Sequence, residues 1–459
     1  MVTAKTKKKA KKPAAAKTKK KKNAAETLIA RIKSRRVNVG VIGLGYVGLP
    51  LSVELAKSNF KVTGFDISVA KVKLLNSGKS DIDDIRDSEV SKIISSGNFI
   101  ATTDPSLLSK MDVIMICVPT PLSKTKDPDV SYILAAVKWV KENLKEGALV
   151  VLESTTYPGT TQDVILPILS ENRRKVGKNF FLAFSPERVD PGNKTYTTKN
   201  TPRIVGGTTA ACAKVARVFY EQTIPDIRTV SSTRAAEMVK LLENTFRSVN
   251  IGLVNEVALM CDKLDLNIWE IIDAAATKPF GFMPFYPGPG LGGHCIPIDP
   301  HYLSWKLKSL NYLARFIELA GDINSHMPEY VVDRIGAHLN EKFSKSFTKS
   351  KILLLGIAYK RDIKDVRESP ALDVMKLLEN KGARVSFNDP FVAEIEWNGG
   401  RMSSKKLSEA AIKSADLVVI LTDHSSYDYK WIVKNSKAVF DTRNATKHVR
   451  SNRSKIELL

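Results

Sequence analysis

The sequence predicts an α/β protein with two Rossmann-like, doubly wound parallel-sheet domains joined by a long central helical segment. Short β-branched runs alternate with helical patterns over residues 37–205 and again over residues 351–440, an alternation typical of parallel sheets. Between them, residues 234–264 contain one glycine and no proline, which predicts a helix longer than usual for a globular protein. The length of 459 residues also exceeds what one core normally organises.

The positive charge is concentrated at the N-terminus. The formal net charge is +23, and residues 1–22 hold eleven Lys and no acidic residue, which leaves 60 basic against 48 acidic residues elsewhere. Such a low-complexity segment cannot bury apolar surface and is predicted to be disordered. It lacks aromatic residues, so we interpret it as an accessory that can contact polyanions, with nucleic acid not required for function. The remaining excess of +12 suits a protein that handles acidic small molecules, and a basic soluble surface explains it equally well.

The cysteines and the hydropathy pattern indicate a cytoplasmic protein. Cys117, Cys212, Cys261 and Cys295 show no paired spacing, which argues against disulfides and against a structural zinc site. No stretch has the pattern of a signal peptide or of a transmembrane helix. We therefore expect no metal and no membrane insertion.

A dinucleotide fingerprint opens the first α/β region. A strand pattern over residues 37–42 runs into the sequence GLGYVG, and a helix and a second strand lead to Asp66, eighteen residues after the last glycine. Gly43 permits the tight turn, Gly45 lets the backbone approach a pyrophosphate, and Gly48 lets the helix pack on the strand. Asp66 accepts from ribose hydroxyls, which favours NAD over NADP. A plain strand-to-helix turn is the alternative.

Three polar loops follow later strands of the same sheet, at residues 119–121, 153–160 and 185–192. Ligands bind at the carboxyl ends of strands in such sheets, although Ser, Pro, Asp and Gly also close loops for purely local reasons. The predicted cofactor-binding residues are Gly43, Leu44, Gly45, Tyr46, Val47, Gly48, Asp66, Pro119, Thr120 and Thr155.

The long helical segment carries a polar face. Lys240, Asn244 and Arg247 stand at i, i+4 and i+7, so they share one face of the helix. Facing a pocket they form a polar cluster, and facing water they form an ordinary solvated stripe. A helix this long can also serve as the spine of a homodimer, or its apolar faces can pack within one chain.

A glycine-rich loop presents a single cysteine. The sequence PGPGLGGHCIPID places four glycines before Cys295 and Asp299 four residues after it. A cysteine displayed on such a loop is a candidate nucleophile, and the alternative is a turn with a small buried thiol. In the second α/β region, which has no GxGxxG, residues 359–367 are rich in Lys and Arg at the end of a strand. They suit a phosphate-bearing substrate or form a basic surface loop.

With these motifs in this order, the chain resembles the UDP-glucose/GDP-mannose dehydrogenase family over residues 36–445. Members of that family oxidise the C6 hydroxyl of a sugar nucleotide twice with NAD. The tail has no counterpart in the family pattern. The motifs that carry the resemblance lie at residues 41–50, 153–161, 185–193, 237–244, 287–299 and 356–369.

The resemblance implies a role for each matching residue. Cys295 is the nucleophile that forms a thiohemiacetal and then a thioester. Lys240 and Asn244 stabilise the oxyanion at C6, and Asp299 orders water and assists proton transfer. Thr155 and Glu187 help to orient water and substrate. The implied substrate-binding residues are Glu187, Arg188, Lys240, Asn244, Gly290, Gly292, Gly293, Lys360 and Arg367, the last two reaching the site from the C-terminal domain.

The resemblance also suggests a substrate and domain limits. The stretches STTYPGTT and SPERVDPGN are similar to the branch that acts on UDP-N-acetylhexosamines, so we expect UDP-N-acetylglucosamine 6-dehydrogenase activity. The alternatives are UDP-glucose, the galactosamine and mannosamine nucleotides, or an inactive scaffold that binds nucleotide sugar or nucleic acid. The expected divisions are the tail, the NAD-binding domain, the central helical domain with the cysteine loop, and the UDP-sugar-binding domain, at residues 1–23, 24–208, 209–325 and 326–459.

Overall fold

Two separate sheets, one of eight strands and one of five, form the framework of the computed structural model. The structure describes residues 23–82, 84–123, 127–190, 193, 195–293 and 295–459. Residues 1–22 of the predicted tail therefore lie outside the described residues. Asn23, placed in the tail from sequence, instead caps the first helix, because its side chain accepts from the backbone N–H of Glu26 at 2.8 Å.

The first sheet has the strand order β3-β2-β1-β4-β5-β6-β7-β8, parallel throughout except between β6 and β7. The order reverses between β1 and β4, and their carboxyl ends border the crevice where doubly wound sheets bind ligands. Its strands are β1 Asn38–Ile42, β2 Lys61–Phe65, β3 Phe99–Thr102, β4 Val113–Ile116, β5 Leu149–Leu152, β6 Phe181–Phe184, β7 Arg203–Gly207 and β8 Ile227–Val230.

The second sheet is parallel, with the order β10-β9-β13-β14-β15, and a short antiparallel hairpin, β11–β12, stands apart from it. The two sheets with a long helix between them confirm the predicted fold class. The strands are β9 Lys351–Leu355, β10 Arg384–Asn388, β11 Glu394–Trp397, β12 Gly400–Ser403, β13 Leu417–Ile420, β14 Val439–Asp441 and β15 Ile456–Leu458.

Two long helices, α8 and α11, pack against each other, and both lie along the chain between the two sheets. They approach closely at Gly252, where an added Cβ would lie 3.0 Å from the Cβ of Ala320. The helices are α1 Ala24–Lys33, α2 Gly48–Lys57, α3 Val69–Asn76, α4 Asp87–Ser95, α5 Ser131–Asn143, α6 Leu166–Leu169, α7 Ala210–Tyr220, α8 Thr233–Lys263, α9 Ile268–Ala275, α10 Asp299–Lys308, α11 Arg315–Phe343, α12 Pro370–Asn380, α13 Glu409–Ser414 and α14 Tyr429–Asn435.

Two predicted domain limits do not coincide with the ends of secondary-structure units. The first sheet continues through β8 to Val230, past the limit at residue 208, because β7 and β8 extend its edge. Helix α11 runs across the limit at residue 325, since Pro328 lies inside the helix and does not begin it. The domain limits stay a prediction. None of the helices in the part of the chain described here has the length and apolar character needed to span a bilayer.

Candidate active site

A cavity of about 710 Å³ lies at the carboxyl ends of the first sheet's strands. Its walls come from the glycine turn after β1, from helix α8, from the cysteine loop and from the second α/β region. The cavity thus gathers most of the predicted site residues, among them Gly43, Leu44, Gly45, Tyr46, Val47, Asp66, Pro119, Thr120, Thr155, Glu187, Lys240, Cys295 and Arg367.

The glycine turn has the geometry that a dinucleotide requires. Gly43 adopts φ +90°, and a Cβ there would lie 2.7 Å from the carbonyl oxygen of Cys117. A Cβ at Gly48 would lie 1.8 Å from the carbonyl oxygen of Gly43, whereas the space beside Gly45 is open to 4 Å. The N-terminus of α2 has no side-chain cap, so its N–H groups can bind a pyrophosphate. This chain's residues therefore fit NAD.

Asp66 stands at the end of β2, where a ribose would lie. Its carboxylate accepts from the backbone N–H of Leu44 at 3.0 Å and from that of Ser68 at 2.9 Å. These bonds fix the carboxylate beside the glycine turn and leave it acceptor capacity for hydroxyls.

Lys240 lines the cavity, and Asp299 and Asn244 form a buried polar pair next to it. Lys240 is only 9% exposed and Asn244 is buried, so these two residues point inward. Arg247, predicted on the same face of α8, is exposed. The Lys240 ammonium donates to the carbonyl oxygen of Glu187 at 2.7 Å. The Asn244 amide donates to the carboxylate of Asp299. Asn244 thus orients Asp299 directly.

Burial raises the pKa of Asp299 to about 6, although Lys240 and the Asn244 hydrogen bond act in the opposite direction. Asp299 begins α10, and its backbone N–H donates to the carbonyl oxygen of Cys295 at 2.8 Å. A carboxylate poised near neutral pH beside a thiol suits general acid–base chemistry.

The Cys295 thiol is partly exposed, whereas Cys117, Cys212 and Cys261 are buried. Burial raises the pKa of the Cys295 thiol; Lys240, Arg367 and Arg247 lower it, and Asp299 raises it. The charged residues that act on the thiol are therefore ones that the sequence analysis had singled out. A nucleophile with a raised pKa needs a nearby base when it attacks.

Arg367 reaches the cavity from the second α/β region. Its guanidinium lies 4.5 Å from the ring centroid of Tyr46 in the glycine turn and pairs with Asp365 at 2.6 Å. Its carbonyl oxygen accepts from the backbone N–H of Gly293 at 3.1 Å. One residue thus contacts both the cofactor turn and the cysteine loop.

Glu187 is held by a buried arginine. Its carboxylate accepts from Arg203 at 2.8 Å and from the backbone N–H groups of Arg188 and Val189 at 2.7 and 3.0 Å. Burial alone would raise the pKa of Glu187, but Arg203 and these hydrogen bonds hold it below its usual value. The carboxylate is therefore held by partners within the protein. Its role in orienting water and substrate stays a prediction.

Other predicted substrate-binding residues are engaged elsewhere. The guanidinium of Arg188 pairs with Glu243 at 2.6 Å and donates to the carbonyl oxygen of Pro202. Lys360 pairs with Asp190 at 2.7 Å and so joins the second α/β region to the loop after β6. The substrate-binding roles of both residues stay predictions.

The glycines before Cys295 make a close approach that the sequence did not indicate. A Cβ at Gly292 would lie 2.6 Å from the Cβ of Tyr359, and one at Gly293 would lie 2.7 Å from its ring. At Gly290 the Cβ would lie 3.0 Å from Pro370. These glycines thus let the cysteine loop pack on the second α/β region, whereas we expected them to close on a sugar diphosphate.

Sequence reasoning missed Arg203 and Tyr359. Arg203 is the first residue of β7 and has no motif around it, so nothing local indicates that it pairs with carboxylates sixteen and fifty residues away. Tyr359 was noted only as the first residue of a stretch rich in Lys and Arg, with no role of its own. In the described ranges, no group of three or more His, Cys, Asp and Glu side chains is placed to hold a metal ion.

The raised pKa of Asp299 gives a stability test. An unfolded Asp titrates near pH 4, so the penalty for ionised Asp299 is absent below about pH 4 and complete above about pH 6. We expect the stability of Asp299→Asn relative to wild type to rise by about 3 kcal/mol between pH 4 and pH 7.5, and we expect the variant to lose turnover. Melting temperatures at the two pH values measure the change, with Asp333→Asn, at an exposed position of α11, as the control. A stability difference between variant and wild type that is the same at both pH values would contradict the assignment.

Comparison with known proteins agrees with this geometry. Three models of the UDP-glucose/GDP-mannose dehydrogenase family match the chain: the NAD binding domain at residues 37–224, the central domain at 234–326 and the UDP binding domain at 353–448. A UDP-N-acetyl-D-mannosamine dehydrogenase from Methanococcus aeolicus is 36% identical over 429 residues, which cover 91% of this chain and 93% of the relative.

Solved structures give the same result. A UDP-D-ManNAc dehydrogenase from Pyrococcus horikoshii is 35% identical with a TM-score of 0.81, over 89% of this chain and 96% of that one. An NDP-N-acetyl-D-galactosaminuronic acid dehydrogenase from Methanosarcina mazei is 30% identical with a TM-score of 0.78, over 96% and 98%. The chain therefore belongs to the UDP-glucose/GDP-mannose dehydrogenase family and is an NAD-dependent nucleotide-sugar dehydrogenase.

Proposed function

We propose that this enzyme oxidises the C6 hydroxyl of UDP-N-acetyl-D-mannosamine to the uronic acid in two steps, through a covalent adduct on Cys295. The observation that carries the chemistry is that the Cys295 thiol and the Lys240 ammonium line one cavity beside the glycine turn, with the buried Asp299 carboxylate close enough to act on the thiol. NAD, when bound at that turn, supplies the hydride acceptor for both oxidations.

The first step makes an aldehyde at C6. The C6 carbon loses a hydride, and the hydroxyl oxygen loses a proton that Asp299 accepts and releases to water before the second step. The Lys240 ammonium is the donor that stabilises the negative charge on this oxygen, since it is buried and held by the Glu187 carbonyl. A fixed cation in a site of low polarity stabilises such charge better than water does.

The second step requires sulfur. Cys295 Sγ attacks the aldehyde carbon, and Asp299, which is largely ionised above about pH 6, accepts the thiol proton. The thiohemiacetal then carries a hydrogen on carbon that can leave as a hydride, which gives a thioester. Water attacks the thioester, the C–S bond breaks, and the carboxylate and the free thiol result. Covalent catalysis of this kind divides one difficult oxidation into easier steps.

The relatives guide the choice of sugar. The most similar curated relatives include UDP-N-acetyl-D-mannosamine dehydrogenases from several archaea, at 34–36% identity, and an NDP-N-acetyl-D-galactosaminuronic acid dehydrogenase at 35%. These names favour the mannosamine nucleotide, with the galactosamine nucleotide second, over the UDP-N-acetylglucosamine expected from the sequence motifs. A cytoplasmic location suits a mechanism that needs a reduced thiol.

A panel of UDP-sugars tests both substrate and mechanism. With N-acetylmannosamine, N-acetylgalactosamine, N-acetylglucosamine and glucose nucleotides, we expect the highest kcat/KM for the first, measured as NADH absorbance, with two NADH formed per sugar. Cys295→Ser should bind NAD and UDP-sugar but form almost no acid, because no thioester can form.

The same panel separates the rival proposals. Highest kcat/KM for UDP-N-acetylglucosamine would overturn the substrate, and unchanged acid formation by Cys295→Ser would overturn the covalent mechanism. Deletion of residues 1–22 should leave turnover unchanged. Binding of UDP-sugar without NADH formation from any of the four nucleotides would favour the inactive scaffold alternative, and turnover that depends on the tail would contradict its accessory role.

We also propose that two copies associate through α8. Four large apolar side chains on this helix are exposed: Leu242, Phe246, Leu253 and Met260. Their spacing of four, seven and seven residues puts them on one face in the pattern of a helix–helix seam. An exposed apolar stripe of this kind is typical of an interface, and an identical stripe on a second copy complements it by symmetry.

Leu253→Glu tests the association. A carboxylate in the seam leaves a charge without a partner, so we expect sedimentation to show a monomer where wild type is a dimer. Ile100→Glu on β3 is the matched control, because Ile100 and Leu253 are both 56% exposed. Dissociation by both exchanges, or by neither, would argue against α8 as the interface.

A further inference from the structure

A buried ion network centred on Arg203 borders the cavity, which two of its members, Glu153 and Glu187, line. Arg203 is 3% exposed, and its three nitrogens serve three partners. Nε donates to the hydroxyl of Ser185 at 3.0 Å, Nη1 to the carboxylate of Glu187 at 2.8 Å, and Nη2 to the carboxylate of Glu153. Tyr220 completes the network, with its hydroxyl donating to Glu153 at 2.5 Å and its ring centroid 5.0 Å from the Arg203 guanidinium.

The network leads to the catalytic ammonium through one residue. Glu187 accepts from Arg203 with its side chain and from the Lys240 ammonium with its own carbonyl oxygen. Its carboxylate also accepts from the two following backbone N–H groups. These bonds close a tight turn, so the direction of the Glu187 carbonyl is set by where Arg203 holds the carboxylate.

The charges make Arg203 more than a packing residue. Without it, the carboxylates of Glu153 and Glu187 would share a buried region with no cation between them. Burial raises the pKa of Glu153 to about 7 even with Arg203 present. The Lys240 ammonium is bonded to the Glu187 carbonyl, close to these carboxylates, and would be drawn toward them and away from the thiol.

We propose that Arg203 is a positioning residue of the oxidation site: by clamping the carboxylates of Glu153 and Glu187, it fixes the carbonyl that holds the Lys240 ammonium against the Cys295 thiol. Arg203 does not line the cavity, whereas Glu153 and Glu187 do, so it acts through the carboxylates that it holds. The inference rests on the proposed function for its effect on turnover, but its effect on the thiol is independent of any substrate.

The first test measures the thiol itself. Iodoacetamide labelling of Cys295, followed by peptide mass spectrometry over a range of pH, reports the thiolate fraction. The groups that act on this thiol are Lys240 and Arg247 from α8, Asp299 from α10, and Arg367 and Tyr359 from the second α/β region. Only Lys240 among them is held by the Arg203 network.

Arg203→Lys keeps the charge, but one ammonium cannot occupy the three positions of the guanidinium fork. We expect the midpoint of labelling to rise by about one pH unit, since an opposite charge close to a group shifts its pKa by about that amount. We expect kcat to fall by about 100-fold, as for a misplaced catalytic group, with the KM for NAD little changed. Arg228→Lys is the control. Arg228 is an exposed residue of β8, and it pairs with Ile204, the residue after Arg203 on β7.

A second variant covers the risk that Arg203→Lys does not fold. The double exchange Glu153→Gln/Arg203→Gln removes the most buried ion pair of the network as a unit, which buried ion pairs often tolerate. It leaves Glu187 with its two backbone N–H donors, and it should give the same shift in labelling. The proposal would be overturned if either variant folds and its labelling midpoint equals that of wild type. A lower melting temperature of that variant would not change this conclusion. A shifted midpoint together with unchanged Cys295→Ser turnover would support Arg203 while refuting the covalent function.

Discussion

The site depends on one buried positive charge. Helix α8 carries Lys240 into a cavity where it is 9% exposed, and burying an ammonium is costly unless it finds hydrogen-bond partners and opposite charge. The Glu187 carbonyl oxygen supplies the hydrogen-bond acceptor, at 2.7 Å, and the Asp299 carboxylate supplies the opposite charge. Since these two residues come from different parts of the chain, the ammonium is stable only when the loop after β6 and the cysteine loop are both in place. The same charge makes the thiol beside it more acidic than burial alone would allow.

The second α/β region completes this arrangement. Arg367 stacks on Tyr46 of the cofactor turn, and its carbonyl oxygen accepts from Gly293 of the cysteine loop. Tyr359 occupies the space that side chains at Gly292 and Gly293 would need. Glycine is therefore required in this loop chiefly by the packing between regions. The packing of the second region on the cysteine loop thus helps to fix the position of the thiol, which stays partly exposed.

The sequence predicted most of the framework, and two of the residues predicted to react, Cys295 and Lys240, line one cavity. Strands β2 and β9 fall within the two alternating patterns predicted from sequence, because each is a short apolar or β-branched run ending at a turn. The roles of Gly43, Gly45 and Gly48 agree with the space beside each one, since the fingerprint constrains local geometry. Helical spacing alone placed Lys240 and Asn244 on one face, but only their burial decided that this face points inward.

What the sequence could not supply were partners distant along the chain. Asn244 was expected to act on the substrate oxygen, whereas its amide is bound to Asp299. Arg188 sits inside a family motif, yet its guanidinium binds Glu243. Arg203 lies in no motif at all. Strands β3, β8 and β15 escaped prediction because they are only three or four residues long and partly exposed.

The central claim is that sulfur carries the sugar between the two oxidations, and trapping that adduct tests it most directly. Wild-type enzyme is mixed with NAD and the preferred UDP-sugar, quenched in acid within the first turnover, digested and analysed by mass spectrometry. The account predicts that the peptide containing Cys295 gains the mass of the acyl nucleotide sugar and that hydroxylamine removes it. Acid formed in that first turnover while the peptide is never modified would contradict the account.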